Sequence, residues 1–297
     1  MKSLYAGYAD QAELDKAYDV ENSVPDFGMY AQKFTVESEA ARAALHCRLN
    51  VPYGPTLMEN VDIFMPKTGR GKAPILVFIH GGYWKSLTAS VFSVMATGPV
   101  QAGMCVVNVT YALCPEVEIG EIVRQVRAAV AWTARNAETF GGDPDRIIVS
   151  GHSAGGHLTA TTMLTDWGLY GLPANLVKGG FAISGLFDLE PLSYSFMQPA
   201  LRLTGETILR HSPLHNVVSN PIPLAIAWGD ADPEAFSGQS KRFAAAWSAA
   251  GNRYGIFRIA NANHFQVLDG FKTADGLMTR TVLDLLMDKL PPVTELR

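Results

Sequence analysis

Two short motifs in this chain carry residue types that could do chemistry. Residues 80–84 read His-Gly-Gly-Tyr-Trp, and residues 151–155 read Gly-His-Ser-Ala-Gly; each follows an apolar run. The second motif has the form of a nucleophile elbow, a tight strand-to-helix turn that exposes a serine hydroxyl. The first has the form of a loop that presents backbone N–H groups to an oxyanion. Together they predict acyl transfer from an ester or amide through a covalent acyl-serine.

The sequence around the second motif strengthens this interpretation. A Gly-x-Ser-x-Gly pattern alone is weak evidence, because glycine and serine are common residues. Here residues 146–150 form a β-rich run, and residues 155–160 begin a helical pattern. A strand, a turn and a helix in this order are the context that the motif requires, with Ser153 as the predicted nucleophile.

The nucleophile needs a base, and the base needs an acid. In proteins with this elbow the partners follow in the order serine, acid, histidine. Two acids, Asp230 and Asp232, follow the apolar run that ends at Trp228. An acid three residues beyond Gly229 fits such a loop better, so we predict Asp232 as the catalytic acid. Asp230 is then predicted to be a turn residue that hydrogen-bonds to local backbone.

His264 is the predicted base, since it is the only histidine after residue 215. It would take the proton of Ser153 and deliver it to the leaving group. Asp232 would fix the tautomer of the imidazole and stabilise the imidazolium.

Backbone donors for the oxyanion are expected from both motifs. Ala154 follows the nucleophile at the start of a helix, and Gly82 and Tyr83 lie in the loop. The side chains of Tyr83 and Trp84 are predicted to contact the substrate. Further aromatic residues could extend an aryl pocket, although each is more often a core residue: Trp167, Phe187, Tyr194 and Phe196.

The remaining histidines and the cysteines predict no metal site. His80 is expected to order the oxyanion loop, and His152 and His157 are expected to be structural. None of the histidines has the i, i+4 spacing with a glutamate that marks a zinc hydrolase. No motif surrounds His46, His211 and His215. Three cysteines without metal-site spacing argue against a disulfide framework.

A regular alternation of elements must position these residues. Over residues 119–134 apolar positions recur at three- and four-residue spacing, as on one face of a helix. Strands alternating with helices predict an α/β-hydrolase fold, a mostly parallel doubly wound sheet with helices on both faces. Residues 49–66 predict an antiparallel opening hairpin, and residues 273–290 a closing amphipathic helix. The apolar runs of strand length are residues 74–79, 104–109, 147–149, 180–184, 224–228 and 254–259.

One domain is expected over residues 1–297. Residues 1–45 read as a helical extension, and their aromatic side chains favour packing against the main body. Residues 186–220 interrupt the alternation with prolines and aromatic residues, and either an irregular loop or a small helical cap fits them. Insertions near the carboxyl ends of strands usually shape the pocket, so this segment is expected to do so.

Composition restricts the class of protein further. The chain has 297 residues, 48% hydrophobic and 18% charged, with a formal net charge of −4. The absence of basic clusters argues against nucleic-acid binding. No apolar run is long enough for a membrane span, and the first residues lack the apolar stretch of a signal peptide. We therefore expect a cytoplasmic protein that acts on a small molecule. The sequence does not determine its oligomeric state, and a homodimer is one of the alternatives.

Several stretches of the sequence resemble the kynurenine formamidase (arylformamidase) family of α/β-hydrolases. They are residues 80–84, 151–155, 184–191, 212–213 and 263–265. The resemblance runs from about residue 51 to the His264 region. It implies a triad of Ser153, Asp232 and His264 and the cleavage of N-formyl-kynurenine to kynurenine and formate, without a cofactor. Gly156 is a small departure, because some relatives have alanine there.

Two alternatives remain open from the sequence. The first alternative is a carboxylesterase or amidase that acts on other short-acyl or aryl substrates, because a fold does not determine the substrate of an enzyme. A catalytically silent binding protein belongs to a different class, and the complete set of serine, acid, histidine and oxyanion loop argues against it. No residue stands out as a partner for the ammonium and carboxylate groups of N-formyl-kynurenine.

Overall fold

A single eight-stranded sheet forms the centre of the protein. In a computed structural model, the residues described are 5, 7–67 and 72–294. The strands follow the order β1-β2-β4-β3-β5-β6-β7-β8 across the sheet. β2 is antiparallel to β1 and β4, and the other neighbouring strands are parallel. The strands are β1 His46–Pro52, β2 Asn60–Met65, β3 Ala73–Ile79, β4 Cys105–Val109, β5 Gly142–His152, β6 Val177–Ile183, β7 Leu224–Gly229 and β8 Tyr254–Ile259.

Strand β3 shows why the central runs are continuously apolar. Ile75, Val77 and Ile79 belong to one core cluster, whereas Leu76 and Phe78 belong to the cluster on the other side. Successive side chains of a strand point to opposite faces, so a strand that is covered on both faces is apolar throughout. The predicted α/β-hydrolase architecture is confirmed, including the antiparallel opening hairpin formed by β1 and β2.

Helices cover both faces of the sheet. The predicted helix over residues 119–134 is observed as α4, and the closing helix is observed as the shorter α9. Within the described residues, no helix is both long enough and apolar enough to cross a membrane. The helices are α1 Gln11–Tyr18, α2 Phe27–Ala44, α3 Thr97–Gln101, α4 Ile119–Asn136, α5 Ala154–Met163, α6 Gln198–Leu201, α7 Gly205–His211, α8 Glu234–Ala249 and α9 Leu277–Leu286.

Two segments outside the alternation frame the site. The N-terminal extension contains α1 and α2; its residues 1–4 and 6 lie outside the described residues. Residues 186–220 contain α6, α7 and two short 3₁₀ helices, Glu190–Tyr194 and Pro213–His215. The carboxyl ends of β3, β5, β7 and β8 meet at one edge of the sheet, and the predicted catalytic residues follow these ends.

Candidate active site

Ser153 lies at the apex of a tight turn between β5 and α5. Its backbone has φ 58° and ψ −118°, a region that residues other than glycine rarely adopt and that is strained. Its N–H donates to the carbonyl of Ile183 in β6 at 2.9 Å, which ties the turn to the sheet. The predicted strand, elbow and helix are therefore present, with the serine between them.

The glycines of the elbow allow backbone to meet backbone. A β-carbon on Gly155 would lie 2.0 Å from the carbonyl oxygen of Ile79, and one on Gly151 would lie 2.3 Å from that of Gly155. A β-carbon on Gly156 would lie 2.8 Å from the α-carbon of Gly185. Such contacts leave no room for a side chain, so α5 packs directly on the ends of β3 and β6.

Gly155→Ala is therefore expected to destabilise the protein by about 3 kcal/mol or more, because β3 and α5 must move apart. Gly238→Ala in α8 is the matched control, since a β-carbon there meets no heavy atom within 4 Å. Alanine in a helix interior is favoured over glycine by roughly 0.5–1 kcal/mol. Urea unfolding followed by tryptophan fluorescence measures both changes. Equal stability of the two variants would contradict this description of the elbow.

Asp232 and His264 form a buried pair. His264 Nδ1 lies 2.8 Å from Asp232 Oδ1, and the other carboxylate oxygen accepts from Ser184 Oγ at 2.6 Å and from the Gly229 N–H at 2.9 Å. Because the carboxylate fixes a proton on Nδ1, the Nε2 atom of His264 is left free to accept one. The structure thus brings Asp232 onto His264.

Asp230, the other candidate acid, has a different environment. It is exposed, and its Oδ1 accepts a hydrogen bond from the Ala262 N–H at 3.2 Å. This is the turn role that the sequence predicts for it.

The loop after β3 passes over Ser153. A β-carbon on Gly81 would lie 3.0 Å from Ser153 Cβ. Gly82 has φ 111°, and Tyr83 and Trp84 also have positive φ. The N–H groups of Gly82, Tyr83 and Ala154 donate to no other described residue. Unpaired donors close to a serine are what an oxyanion hole requires.

His80 orders this loop, as predicted. Its ring stacks on Tyr111 at 4.3 Å between centroids, and its Nδ1 lies 2.7 Å from the carbonyl oxygen of Gly81. The Tyr111 hydroxyl donates to the His80 carbonyl at 2.8 Å. Complete burial lowers the pKa of His80 to about 4, so the ring is neutral at pH 7.

His157 and His152 are also buried. His157 Nε2 lies 2.7 Å from the carbonyl oxygen of His211, and burial lowers the pKa of His157 to about 3. The ring of His152 lies 4.4 Å from the ring of His264. Burial, together with the charge of His264, lowers the pKa of His152 well below its ordinary value.

These buried histidines predict a loss of stability in mild acid. His80 and His157 stay neutral in the folded protein, with pKa values of about 4 and about 3, whereas the unfolded chain binds protons near pH 6.5. The contribution of the two neutral histidines to the free energy of unfolding is fully present above pH 6.5 and should fall as the pH drops toward 4. We expect a loss of about 2 kcal/mol per histidine between pH 7 and pH 5. Urea unfolding at the two pH values measures it; an unchanged free energy of unfolding would contradict the argument.

Ser153 and His264 line one cavity of about 150 Å³. Its walls are mainly apolar, and many of them come from the N-terminal extension. Two groups of apolar side chains line it. The residues before β1 are Val20, Phe27, Ala31 and Phe34, and those after β3 are Phe92, Phe265 and Leu268.

The expected contribution of residues 186–220 to this cavity is not observed. Phe187 is buried in the core, while Tyr194 and Phe196 are partly exposed and lie outside the lining. Trp167 lines a different cavity. The reason is that the N-terminal extension, and not the insertion, lies over Ser153.

Of the two residues predicted to contact the substrate, Tyr83 lines the cavity and Trp84 does not. Trp84 is completely buried, and its ring meets the ring of His157 edge-on at 5.0 Å. The positive φ values of both residues turn the backbone, so that the second ring points into the core.

Sequence reasoning missed the wall formed by the extension. Phe265 could have been noticed, because it directly follows His264. Phe27 and Phe34 belong to the aromatic residues of the extension, whose type predicts only that they pack on the main body. No local signal connects them to Ser153.

The chain resembles known proteins over most of its length. A model of the prolyl oligopeptidase family matches residues 123–283, more than half of the chain, and a model named BD-FAE matches residues 61–168. Two relatives named kynurenine formamidase match 84% of this chain and 85% of their own length. The protein from Danio rerio is 29% identical over 254 residues, and that from Salmo salar is 31% identical over 255 residues.

A solved structure from Silicibacter sp. TM1040, provisionally described as a thioesterase, superposes with a TM-score of 0.80. It is 29% identical, and the match covers 91% of this chain and 99% of that one. The chain is thus an enzyme of the α/β-hydrolase class, within the prolyl oligopeptidase family, with the fold of serine hydrolases. Within that class it belongs to the kynurenine formamidase family, as its identity to the Salmo salar protein shows.

Proposed function

We propose that the protein hydrolyses a small N-acyl arylamine, with N-formyl-kynurenine as the first candidate, through an acyl-serine intermediate. Ser153 is the nucleophile, His264 the base and Asp232 the acid that orients it. The observation that carries the proposal is that His264, which lies 2.8 Å from Asp232, lines the same cavity as Ser153. The names of the two fish relatives supply the substrate.

In the first half of the reaction, Ser153 Oγ attacks the formyl carbon as His264 Nε2 takes its proton. The oxygen of the tetrahedral intermediate accepts hydrogen bonds from the N–H groups of Gly82, Tyr83 and Ala154, which have no other described acceptor. Collapse of the intermediate breaks the carbon–nitrogen bond. His264 passes its proton to the nitrogen, and kynurenine leaves.

In the second half, water attacks the formyl-serine. His264 takes a proton from the water and returns it to Ser153 Oγ, which releases formate. The imidazolium form of His264 arises twice, and the Asp232 carboxylate stabilises it each time at 2.8 Å. The chemistry uses side chains and backbone groups of this chain. A single domain over residues 1–297, a cytoplasmic location and a homodimer remain predictions.

The test is kcat/KM for N-formyl-kynurenine beside a short nitrophenyl ester, measured on one preparation. A formamide value of about 10⁴ M⁻¹s⁻¹ or more would support the proposal. Good ester turnover with negligible formamide turnover would keep the serine chemistry and refute the substrate. A carboxylesterase would then be favoured, in agreement with the mainly apolar walls of the cavity.

A further inference from the structure

The residues between α1 and the middle of α2 form one wall of the cavity. We call residues 18–35 the N-terminal strap. Val20, Phe27, Ala31 and Phe34 of the strap line the same cavity as Ser153. The strap is therefore placed to contact a group that is attached to a carbonyl at Ser153 and lies in this cavity.

The strap is fixed to the oxyanion loop through one hydroxyl. Tyr83 Oη donates to the carbonyl of Tyr18 at 2.6 Å and accepts from the Val20 N–H at 3.1 Å. Tyr83 is 5% exposed, so water competes little for these two bonds. The strap backbone at residues 18–20 is therefore held at a set distance from the loop that would bind the oxyanion.

A second set of contacts fixes the strap to the loop of His264. The ring of Tyr30 stacks on that of Phe265 at 5.1 Å, and the ring of Phe27 lies 5.4 Å from it. Asn263 Nδ2 donates to the Tyr30 hydroxyl at 2.8 Å. Both loops that carry the proposed chemistry thus contact the same segment, which is an ordered part of the site.

The charged residues that line the cavity carry only negative charge. Among the described residues that line it, Glu21 is the only carboxylate, and no lysine or arginine lines it. Glu21 is exposed and follows Val20, whose N–H is bound to Tyr83. Glu21 therefore borders the cavity next to a piece of backbone that Tyr83 anchors. An apolar wall with one acid beside it suits an aromatic ligand that bears a positive charge.

We propose that the N-terminal strap is the leaving-group subsite, in which the apolar wall takes the aryl ring and Glu21 binds an ammonium group on the leaving arylamine. This inference rests on the formamidase reaction proposed above and names the part of the substrate that the enzyme selects. Lys85 lies over the ring of Tyr83 at 5.9 Å but does not line the cavity, so the ammonium group is the recognised charge and the substrate carboxylate is not.

Three aryl formamides test the subsite. N-formyl-kynurenine carries ammonium and carboxylate, its decarboxylated amine carries ammonium alone, and formanilide carries neither. The wild-type protein should prefer both ammonium-bearing substrates over formanilide. In Glu21→Gln, the ratio of kcat/KM for each of them to kcat/KM for formanilide should fall about fivefold.

Glu39→Gln is the matched control. Glu39 is exposed on α2 and does not line the cavity, and its substitution removes the same charge from the same extension. The ratios should stay at their wild-type values in this variant. Identical ratios in Glu21→Gln and Glu39→Gln would refute the subsite, as would a wild-type protein that requires the carboxylate.

Failure of the subsite can be told from failure of the reaction. If the wild-type protein turns over formanilide but the ratios do not respond to Glu21→Gln, only the subsite is refuted. If it hydrolyses none of the three formamides while a nitrophenyl ester is cleaved, the formamidase reaction itself is refuted, and the subsite with it.

Discussion

Ser153→Ala should lower kcat by at least about 10⁴-fold, because the acyl-enzyme can no longer form. The hydroxyl sits at a turn whose backbone is held by a hydrogen bond to Ile183 and by the glycines of the elbow. Alanine keeps this backbone, so the loss should be chemical. Steady-state turnover with the best formamide or ester measures the effect.

Two controls separate chemistry from folding. The midpoint of thermal unfolding should stay close to that of the wild type in Ser153→Ala. Ser237→Ala on α8, where the hydroxyl bonds to the carbonyl of Glu234, should retain full turnover. A fluorophosphonate probe should label the wild type and Ser237→Ala, but not Ser153→Ala. Labelling of Ser153→Ala at another residue would show that the nucleophile is assigned wrongly.

Asp232→Asn should lower kcat by about 10³- to 10⁴-fold. An amide nitrogen or oxygen at this position cannot hold the His264 proton on Nδ1 as the carboxylate does, and it cannot stabilise the imidazolium. The loss should be much smaller in Asp230→Asn, about threefold or less, since that side chain binds only local backbone within the described residues. Turnover of both variants, with urea unfolding as the check on folding, measures the contrast.

The triad members should also act as a unit. Adding Asp232→Asn to Ser153→Ala should cost little further activity, because the base has no nucleophile left to activate. A larger loss in Asp230→Asn than in Asp232→Asn would reverse the assignment of the acid. Full additivity in the double variant would place Asp232 outside the mechanism.

The chemistry could be predicted from the sequence because it lies in short motifs. Residues 80–84 and 151–155 each specify a turn, and the glycines that permit those turns are visible in the sequence. The choice of Asp232 over Asp230 rests on spacing within one loop. These inferences each depend on fewer than about six neighbouring residues, the scale at which local backbone rules apply. His264 is identified differently, because it is the only histidine after residue 215.

The walls of the cavity could not be predicted in this way. The contact between Tyr30 and Phe265 joins residues that are far apart in the chain, and only the folded sheet brings them together. The prolines and aromatic residues of 186–220 predict a pocket-forming insertion, yet none of the aromatic rings lines the cavity, and Phe196 only meets the Tyr83 ring edge-on at 5.9 Å. The direction of the Trp84 side chain could not be predicted either, although Trp84 belongs to the motif itself. Its backbone has a positive φ, and the position in the loop does not reveal which way the side chain then points.

The position of the strap in the chain has an evolutionary consequence. The proposed nucleophile, acid and base follow β5, β7 and β8 in the chain, whereas the strap precedes β1 and is joined to the site by hydrogen bonds and ring contacts. Replacement of residues 1–45 by those of a relative would change no residue of a described strand. Exchange of the segment before β1 would then give the proposed catalytic residues a new substrate range, provided that the new segment also carries partners for Tyr83 and Phe265.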